Sequence, residues 1–230
     1  MPIVQNHLIA LLPASDQQRL LGQCDSVQLH LGEVLCEAGA PMAHAYFPVD
    51  GFISLLTRTE NHPSLEVGMV GSEGMFGGAL ALGVRISQLQ ALVQGSGSAW
   101  RVPAAALQRE LARCPALRQT LLHYVYVVMA QMASSAACLR FHLIGPRLAR
   151  WLLMSEDRAH GNRFQVTHEF LACMLGVRRV GVTVAAGLLQ RQGLIAYHRG
   201  QVTVLDRAGL EAAACPCYAR QHLAYQTLLG

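Results

Sequence analysis

The pattern of apolar and polar positions changes along the chain, and its first part has the short period of β-strands. Between Val27 and Val102, apolar or alternating runs such as AYFPV, FISLL and LEVGMV are punctuated by glycines. Strands of about five residues between glycine turns are typical of an antiparallel β-barrel or jelly roll. The sequence therefore predicts a β domain here, preceded by two short helical pieces within residues 6–22.

A long helical pattern follows the β region. A break at Cys114-Pro115 precedes a segment, up to about Leu143, in which no charged residue lies between Arg118 and Arg140. Its apolar residues repeat in steps of three and four, which is the a/d seam of a helix that pairs with another helix. The predicted seam consists of Leu122, Val125, Met129, Met132, Ala136 and Leu139.

The uncharged part of this helix is also long enough to cross a bilayer. It contains Gln119, His123, Gln131 and two serines, however, and its repeat favours pairing with a second helix over a membrane span. A third alternative is a helix that packs only within its own chain. We expect no membrane partner.

The last third of the chain predicts two short helices around a tight turn. The segment IGP at 144–146 marks a domain boundary, and Thr167 is a good N-cap for a helix from His168 to Leu175. Gly176 ends that helix in the manner of a left-handed residue, and a second helix runs from about Arg179 to Gln192. This arrangement is a helix-turn-helix.

Two strands complete a winged helix, because LIAYH and QVTVL flank a two-residue turn, Arg199-Gly200. In helix-turn-helix proteins the start of the second helix reaches base edges in the major groove, where an arginine can bind guanine through two hydrogen bonds. We assign this contact to Arg179; the alternative for each arginine is a solvated surface charge. The candidate DNA-binding residues are Thr167, Arg178, Arg179, Val180, Thr183, His198 and Arg199.

The charge distribution indicates that the C-terminal part of the chain binds a polyanion. The net charge is +4, and all eighteen basic residues are arginine. Residues 1–139 carry a net charge of −2 and residues 140–230 a net charge of +6. Seven irregularly spaced cysteines, with no secretory pattern after Met1, predict a reduced cytoplasmic protein without disulfides.

In this order the parts resemble the Crp/Fnr family of bacterial transcription regulators. The resemblance implies an α+β chain with a cyclic-nucleotide-binding-like β-roll sensor domain (1–113), a dimerisation helix (114–144) and a winged helix-turn-helix domain with a C-terminal tail (145–230). It also implies that the chain is not an enzyme and that it binds a pseudo-palindromic DNA site as a homodimer. RNA polymerase is a further candidate partner. The matching motifs are LGEVLCEAG (31–39), AYFPVDGFISLL (45–56), VGMVGSEGMFG (67–77) and VTHEFLACMLGVRRVGVTVAAGLLQRQGLI (166–195).

The segment FGGALALGVRISQLQALV (76–93) departs from the family's cyclic-nucleotide cassette. In relatives that bind a cyclic nucleotide, a Glu holds the ribose and an Arg pairs with the phosphate, whereas here Gly78 and Gln88 or Leu89 stand at those positions. An unpaired phosphate in an apolar barrel is costly, so we do not expect cyclic AMP to bind in the usual way; Arg85 is the one candidate substitute, or else a surface charge. The candidate effector-binding residues of this degenerate cassette are Phe76, Gly77, Gly78, Arg85 and Gln88.

The recognition helix departs from the family as well. Members of the activator branch commonly have the pattern Arg-Glu-x-x-x-Arg in this helix. This chain has Val180 in place of the Glu and Val184 in place of the second Arg. The base preference should therefore differ, and Val180 could contact a thymine methyl group.

Histidine and cysteine leave other sensing chemistry open. An iron–sulfur cluster usually needs four thiolates, and the first 110 residues contain only Cys24 and Cys36. Haem stays open, but no spacing selects a pair of ligands for it. The histidines available for haem are His30, His44, His62 and His123.

The pair Cys215 and Cys217 could bind a metal with help from His222, but three ligands are too few for a closed zinc site. A local structural turn is the favoured interpretation, so we predict no metal site and identify no cofactor. The alternative function for the whole chain is a small-molecule, haem or redox sensor that acts mainly through protein partners and has a non-functional DNA domain.

Overall fold

The computed structural model describes residues 6–58, 60, 64–159 and 161–230. Two short helices, α1 (His7–Ala10) and α2 (Ala14–Leu21), precede a domain of seven antiparallel strands in two sheets. One sheet has the order β1-β7-β3 and the other the order β2-β6-β4-β5, so the predicted jelly-roll-like domain is confirmed. The strands are β1 (Asp25–Leu29), β2 (Val34–Cys36), β3 (His44–Pro48), β4 (Phe52–Thr57), β5 (Leu65–Val70), β6 (Gln90–Gly95) and β7 (Gly97–Pro103).

The core of this β-roll is closed by helices that follow it. Inward-facing residues such as Phe47, Ile53 and Val93 are fully buried between the sheets. A 3-10 helix (Gly78–Leu82) joins β5 to β6, and α3 (Ala104–Arg113) leads into α4 (Pro115–Phe141). Cys114 caps α4, since its Sγ accepts a hydrogen bond from the Leu117 N–H at 3.3 Å.

Helix α4 has 27 residues, about 40 Å at 1.5 Å per residue. Its residues Leu117, Leu121, Tyr124 and Val127 pack into the core of the β-roll. The helix ends at Phe141, two residues before α5 (Ile144–Ala159) begins. The break between the two helices therefore lies just before the predicted boundary at 144–146. Pro146 is in the first turn of α5, where backbone N–H groups have no partner within the helix, so proline is tolerated there.

The C-terminal domain is a winged helix, as predicted. Its small sheet has the order β8-β10-β9, and its core joins Leu148, Leu171, Val182 and Val202. The same cluster includes Phe52, Leu56 and Met69 from the β-roll, so the two domains share a core. The elements after α5 are β8 (Arg163–Gln165), α6 (His168–Leu175), α7 (Arg179–Arg191), β9 (Ile195–His198), β10 (Gln201–Val204), α8 (Arg207–Ala213) and α9 (Cys217–Leu229).

The predicted C-terminal tail is helical and returns to the first domain. Helix α9 packs along α4, and Leu229 joins the core of the β-roll. The Tyr225 hydroxyl donates to the Glu73 carbonyl at 2.5 Å, and His7 Nε2 lies 2.7 Å from the Leu229 carbonyl. The tail thus contacts α4, the β-roll and helix α1.

One helix in the described part of the chain, α4, is long and apolar enough to cross a membrane by length and composition. Core helices of soluble proteins have the same properties, and one side of α4 is occupied by the β-roll.

Candidate nucleic-acid interface

The helix-turn-helix has the expected local geometry. Helices α6 and α7 meet at 108°, within the range of about 90–120° typical of this motif. The Thr167 Oγ1 accepts a hydrogen bond from the Phe170 N–H at 3.1 Å, which caps α6. Gly176 has φ 61°, and this left-handed turn redirects the chain into α7.

Two arginines stand at the free end of α7. Arg178 is the N-cap residue and Arg179 the first residue of the helix, and both are exposed. The Arg179 side chain is 70% exposed, and the one ion pair it makes with the described part of the chain, to Glu169, has a separation of 3.9 Å. An ion pair this exposed contributes little to stability, so the Arg179 guanidinium is free to bind another acceptor. Val180 and Val184, one turn apart, are exposed beside it.

The hydroxyl of Thr183 is engaged within the protein. It lies 3.1 Å from the Arg179 carbonyl and 3.1 Å from His168 Nδ1. The His168 ring stacks on Tyr197 with centroids 4.4 Å apart, and the Tyr197 hydroxyl donates to the Val166 carbonyl at 2.8 Å. This chain of contacts fixes α7 against α6 and the wing.

Sequence reasoning missed the two rings in that network. His168 and Tyr197 lie 29 positions apart, and no spacing pattern connects them. Burial and the nearby Arg179 guanidinium lower the pKa of His168. The imidazole of His168 near Arg179 is therefore neutral. A protonated ring at this place would repel the Arg179 guanidinium.

The wing tip is a tight turn beside the start of α6. Arg199 has φ 48° and Gly200 φ 80°, as in the two-residue hairpin turns that need positive φ at both positions. His198 and Arg199 are exposed. The Gly200 carbonyl accepts a hydrogen bond from the Val166 N–H at 2.8 Å, which places the tip next to exposed Thr167.

A buried arginine supports the motif from behind, and sequence analysis did not single it out. Arg147 of α5 donates to the Leu175 carbonyl at the end of α6. On the other side, a Cβ at Gly176 would lie 2.8 Å from Leu65 Cδ1 in β5. The turn of the helix-turn-helix is thus in direct contact with the β-roll.

The predicted seam of α4 divides into two faces. Leu122 and Ala136 are exposed, and Met129 is exposed although it also borders the β-roll. Val125 and Met132 are half-buried facing the β-roll, and Leu139 lines a cleft towards α5. An exposed apolar stripe runs through three of the predicted seam residues and through residues one position further along than the others. The stripe consists of Leu122, Tyr126, Met129, Ala133 and Ala136.

A cavity of about 240 Å³ lies between the β-roll and α4. Phe76, Gly77, Gly78 and Gln88 line it, together with four methionines and other apolar residues, and no charged side chain is among its described lining residues. Arg85 is exposed and does not line the cavity, so its suggested role as a substitute for the phosphate-binding arginine is not supported.

The histidines considered for haem do not meet at this cavity. His30, His44 and His123 are absent from its described lining, and His62 lies outside the described residues.

The cysteine pair near the C-terminus has other neighbours than the sequence suggested. His222 lies 3.3 Å from the Asp157 carboxylate, whereas Cys215 and Cys217 lie beside Cys138 and His142. His142, and not His222, is therefore the histidine beside the cysteine pair, and Cys138 is a further potential ligand.

A half-buried carboxyl group lies where the two domains meet. Glu66 of β5 accepts hydrogen bonds from the Ser54 hydroxyl at 2.6 Å and from Trp151 Nε1 at 2.9 Å. Desolvation raises the pKa of Glu66 to about 7, although both hydrogen bonds favour the carboxylate.

Glu66 should make stability fall with rising pH. Its pKa is higher in the folded chain than the ordinary 4.5, so the stabilisation is complete below pH 4.5 and is lost by about pH 7. The loss is at most about 3 kcal/mol at 1.36 kcal/mol per pKa unit, because part of the side chain remains exposed and is screened. Urea unfolding at pH 5 and pH 8 measures it. In Glu66→Gln this pH-dependent difference should shrink; an unchanged difference would contradict the assignment.

These features define a class of protein: a β-roll joined by a long helix to a winged helix-turn-helix DNA-binding domain. A model of the cyclic nucleotide-binding domain matches residues 26–114, and a model of the Crp-like helix-turn-helix domain matches residues 146–213. The chain belongs to the Crp/Fnr family of DNA-binding transcription regulators.

Individual relatives agree with this assignment. The chain is 25% identical to the global nitrogen regulator of Synechococcus elongatus over 193 residues, which is 80% of this chain and 86% of the relative. A regulator assigned to the family from Eubacterium rectale has the same fold with a TM-score of 0.69 at 16% identity, covering 88% of this chain and 94% of that one. The c-di-GMP-responsive global regulator CLP of Xanthomonas campestris has a TM-score of 0.67 at 17% identity, covering 84% and 99%.

Proposed function

We propose that this chain is a cytoplasmic, non-enzymatic, sequence-specific transcription regulator that binds DNA as a homodimer. The observation that carries the proposal is the exposure of Arg178 and Arg179 at the start of α7, on a helix held at 108° to α6. Such a helix end fits the major groove, where an arginine can bind guanine O6 and N7. The exposed arginines favour this function over a sensor whose DNA domain is non-functional.

The backbone contacts of the proposed complex come from the wing and from α6. Arg199 and His198 at the wing tip suit phosphate contacts, which fix orientation without reading sequence. The start of α6 offers free backbone N–H groups and exposed Thr167 to a second phosphate. Val180 and Val184 suit the apolar methyl group of thymine.

The dimer would form through the exposed stripe of α4. Tyr126 and Met129 are each 62% exposed, and Ala133 and Ala136 between successive turns allow two helices to approach closely. Large apolar side chains in a row on a free helix face are typical of a helix–helix interface. Two copies related by a two-fold axis would present their recognition helices to half-sites about 10 base pairs apart.

The cavity supports an apolar effector rather than a cyclic nucleotide. A cyclic phosphate bound there would lack a cationic partner, and its desolvation would be uncompensated. An occupant would touch the β-roll and also Val125, Met129 and Met132 of α4. It could therefore shift the population between two angles of the paired helices, provided that it binds one state better.

Selection of duplexes from a random pool by the full-length protein tests the proposed function. The expected enriched sequence is two-fold symmetric, with half-site centres about 10 base pairs apart, and its affinity falls as salt rises. Uniform weak binding without an enriched sequence would contradict a sequence-specific regulator and favour the partner-binding sensor.

Cyclic AMP is expected to leave binding to the selected site unchanged. Anisotropy titrations with and without millimolar cyclic AMP measure this directly, and calorimetry reports whether the nucleotide binds at all. A rise in affinity for DNA, or a saturable heat of binding, would overturn the assignment of an apolar cavity.

A further inference from the structure

Four potential metal ligands meet where α4 ends. Cys138 lies in the last turn of α4, and His142 is the extended residue directly after that helix. Cys215 and Cys217 flank Pro216 at the start of α9. The four ligand atoms all lie within 4.8 Å of one another.

The distances fit a tetrahedral ion. The Sγ atoms of Cys138 and Cys215 are 3.4 Å apart, and Cys217 Sγ is 3.6 Å from His142 Nδ1. A tetrahedron with Zn–S bonds of about 2.3 Å and a Zn–N bond of about 2.0 Å has edges of roughly 3.5–3.8 Å. The observed separations are near these values, and the 3.4 Å between the two sulfurs is far above a disulfide bond of about 2.05 Å.

The site is enclosed. The three cysteines are between 1% and 3% exposed and form a cluster separate from the two main cores. His142 is half-buried beside them. Three cysteines and one histidine without an open position are a ligand set of structural zinc sites.

Two guanidinium groups lie near the cluster. Arg147 and Arg150 line the same cleft as Cys138. A zinc ion with three thiolates and a neutral imidazole carries a charge of −1, which these guanidinium groups offset.

We propose that Cys138, His142, Cys215 and Cys217 bind one structural Zn²⁺ ion per chain. Its binding releases the thiol protons and replaces weak thiol hydrogen bonds with four coordinate bonds. The ion would join the end of the dimerisation helix to the linker between α8 and α9. It would therefore hold the break at 142–143 in one conformation. The DNA-binding domain is attached to α4 through this break.

Metal analysis of the full-length protein, purified without an affinity tag that binds metal, tests the proposal. The expected result is one zinc per chain in a colourless protein, and replacement by Co²⁺ should give the visible absorption of a tetrahedral cobalt–thiolate site. Protein that holds no zinc and takes up none from solution would overturn the proposal. So would bound iron with visible absorption, or a mass showing a Cys138–Cys215 disulfide.

Variants locate the site. The double variant Cys215→Ser/Cys217→Ser should lose its zinc, whereas His142→Cys should keep it, because a four-cysteine set also binds zinc. The matched controls are His222→Gln and Cys24→Ser, which lie outside the cluster and should keep one zinc per chain. Zinc retained in the double variant, or lost in both controls, would contradict the assigned ligands. If the double variant fails to fold, the wild-type metal content and the His142→Cys variant still decide.

Discussion

Replacing Arg179 with Ala is expected to weaken binding to the selected DNA site by about 1–3 kcal/mol for each recognition helix. The side chain is 70% exposed at the start of α7, and its one ion pair within the described residues, to Glu169, is 3.9 Å long. Its loss removes two hydrogen bonds to guanine but leaves the fold intact. Anisotropy titrations against the site and against single-base substitutions should show relaxed discrimination at one position in each half-site.

Arg191→Ala is the matched control for Arg179→Ala. Arg191 is exposed at the far end of the same helix, so this variant removes the same charge without touching the groove-facing end. We expect a modest weakening that is uniform across sequences and that vanishes at high salt. Uniform weakening in both variants, with base discrimination unchanged, would show that Arg179 contributes only charge.

A glutamate at Tyr126 is expected to raise the dissociation constant of the dimer more than a hundredfold. Tyr126 is 62% exposed on the apolar stripe of α4, and two-fold symmetry would bring two carboxylates together in an apolar interface. An uncompensated buried charge costs about 3 kcal/mol or more. Sedimentation velocity over a range of concentrations measures the change.

Leu223→Glu provides the comparison, since Leu223 is 64% exposed on α9, outside the α4 stripe. This variant should remain dimeric with the affinity of the wild type. Were Leu223→Glu to dissociate the dimer while Tyr126→Glu did not, the interface would have to lie on α9.

The helix-turn-helix was predictable because its signals are local. Thr167 caps α6, Gly176 adopts φ 61° and Gly200 adopts φ 80° in the wing turn, each as its own residue type favours. The strands of the β-roll were predictable for the same reason, since glycine turns separate short apolar runs. These elements depend on neighbours a few positions away.

Features that depend on distant packing could not be read from the sequence. The side of α4 that the β-roll covers is decided by the whole domain, so the sequence does not show that Val125 and Met132 face the β-roll. Cys138 and Cys215 are 77 positions apart, and they meet only because α9 folds back along α4. The choice of His222 over His142 as a metal ligand followed sequence proximity, which the fold overrides.

A spacing series on the selected site measures the paired geometry most directly. Two recognition helices fixed by a dimer should tolerate only one separation, so five added base pairs, about half a helical turn, should rotate one half-site out of reach. We expect the affinity to fall roughly 100-fold or more, to that of a single half-site. An affinity that is indifferent to the insertion would contradict a dimer that reads both half-sites at once.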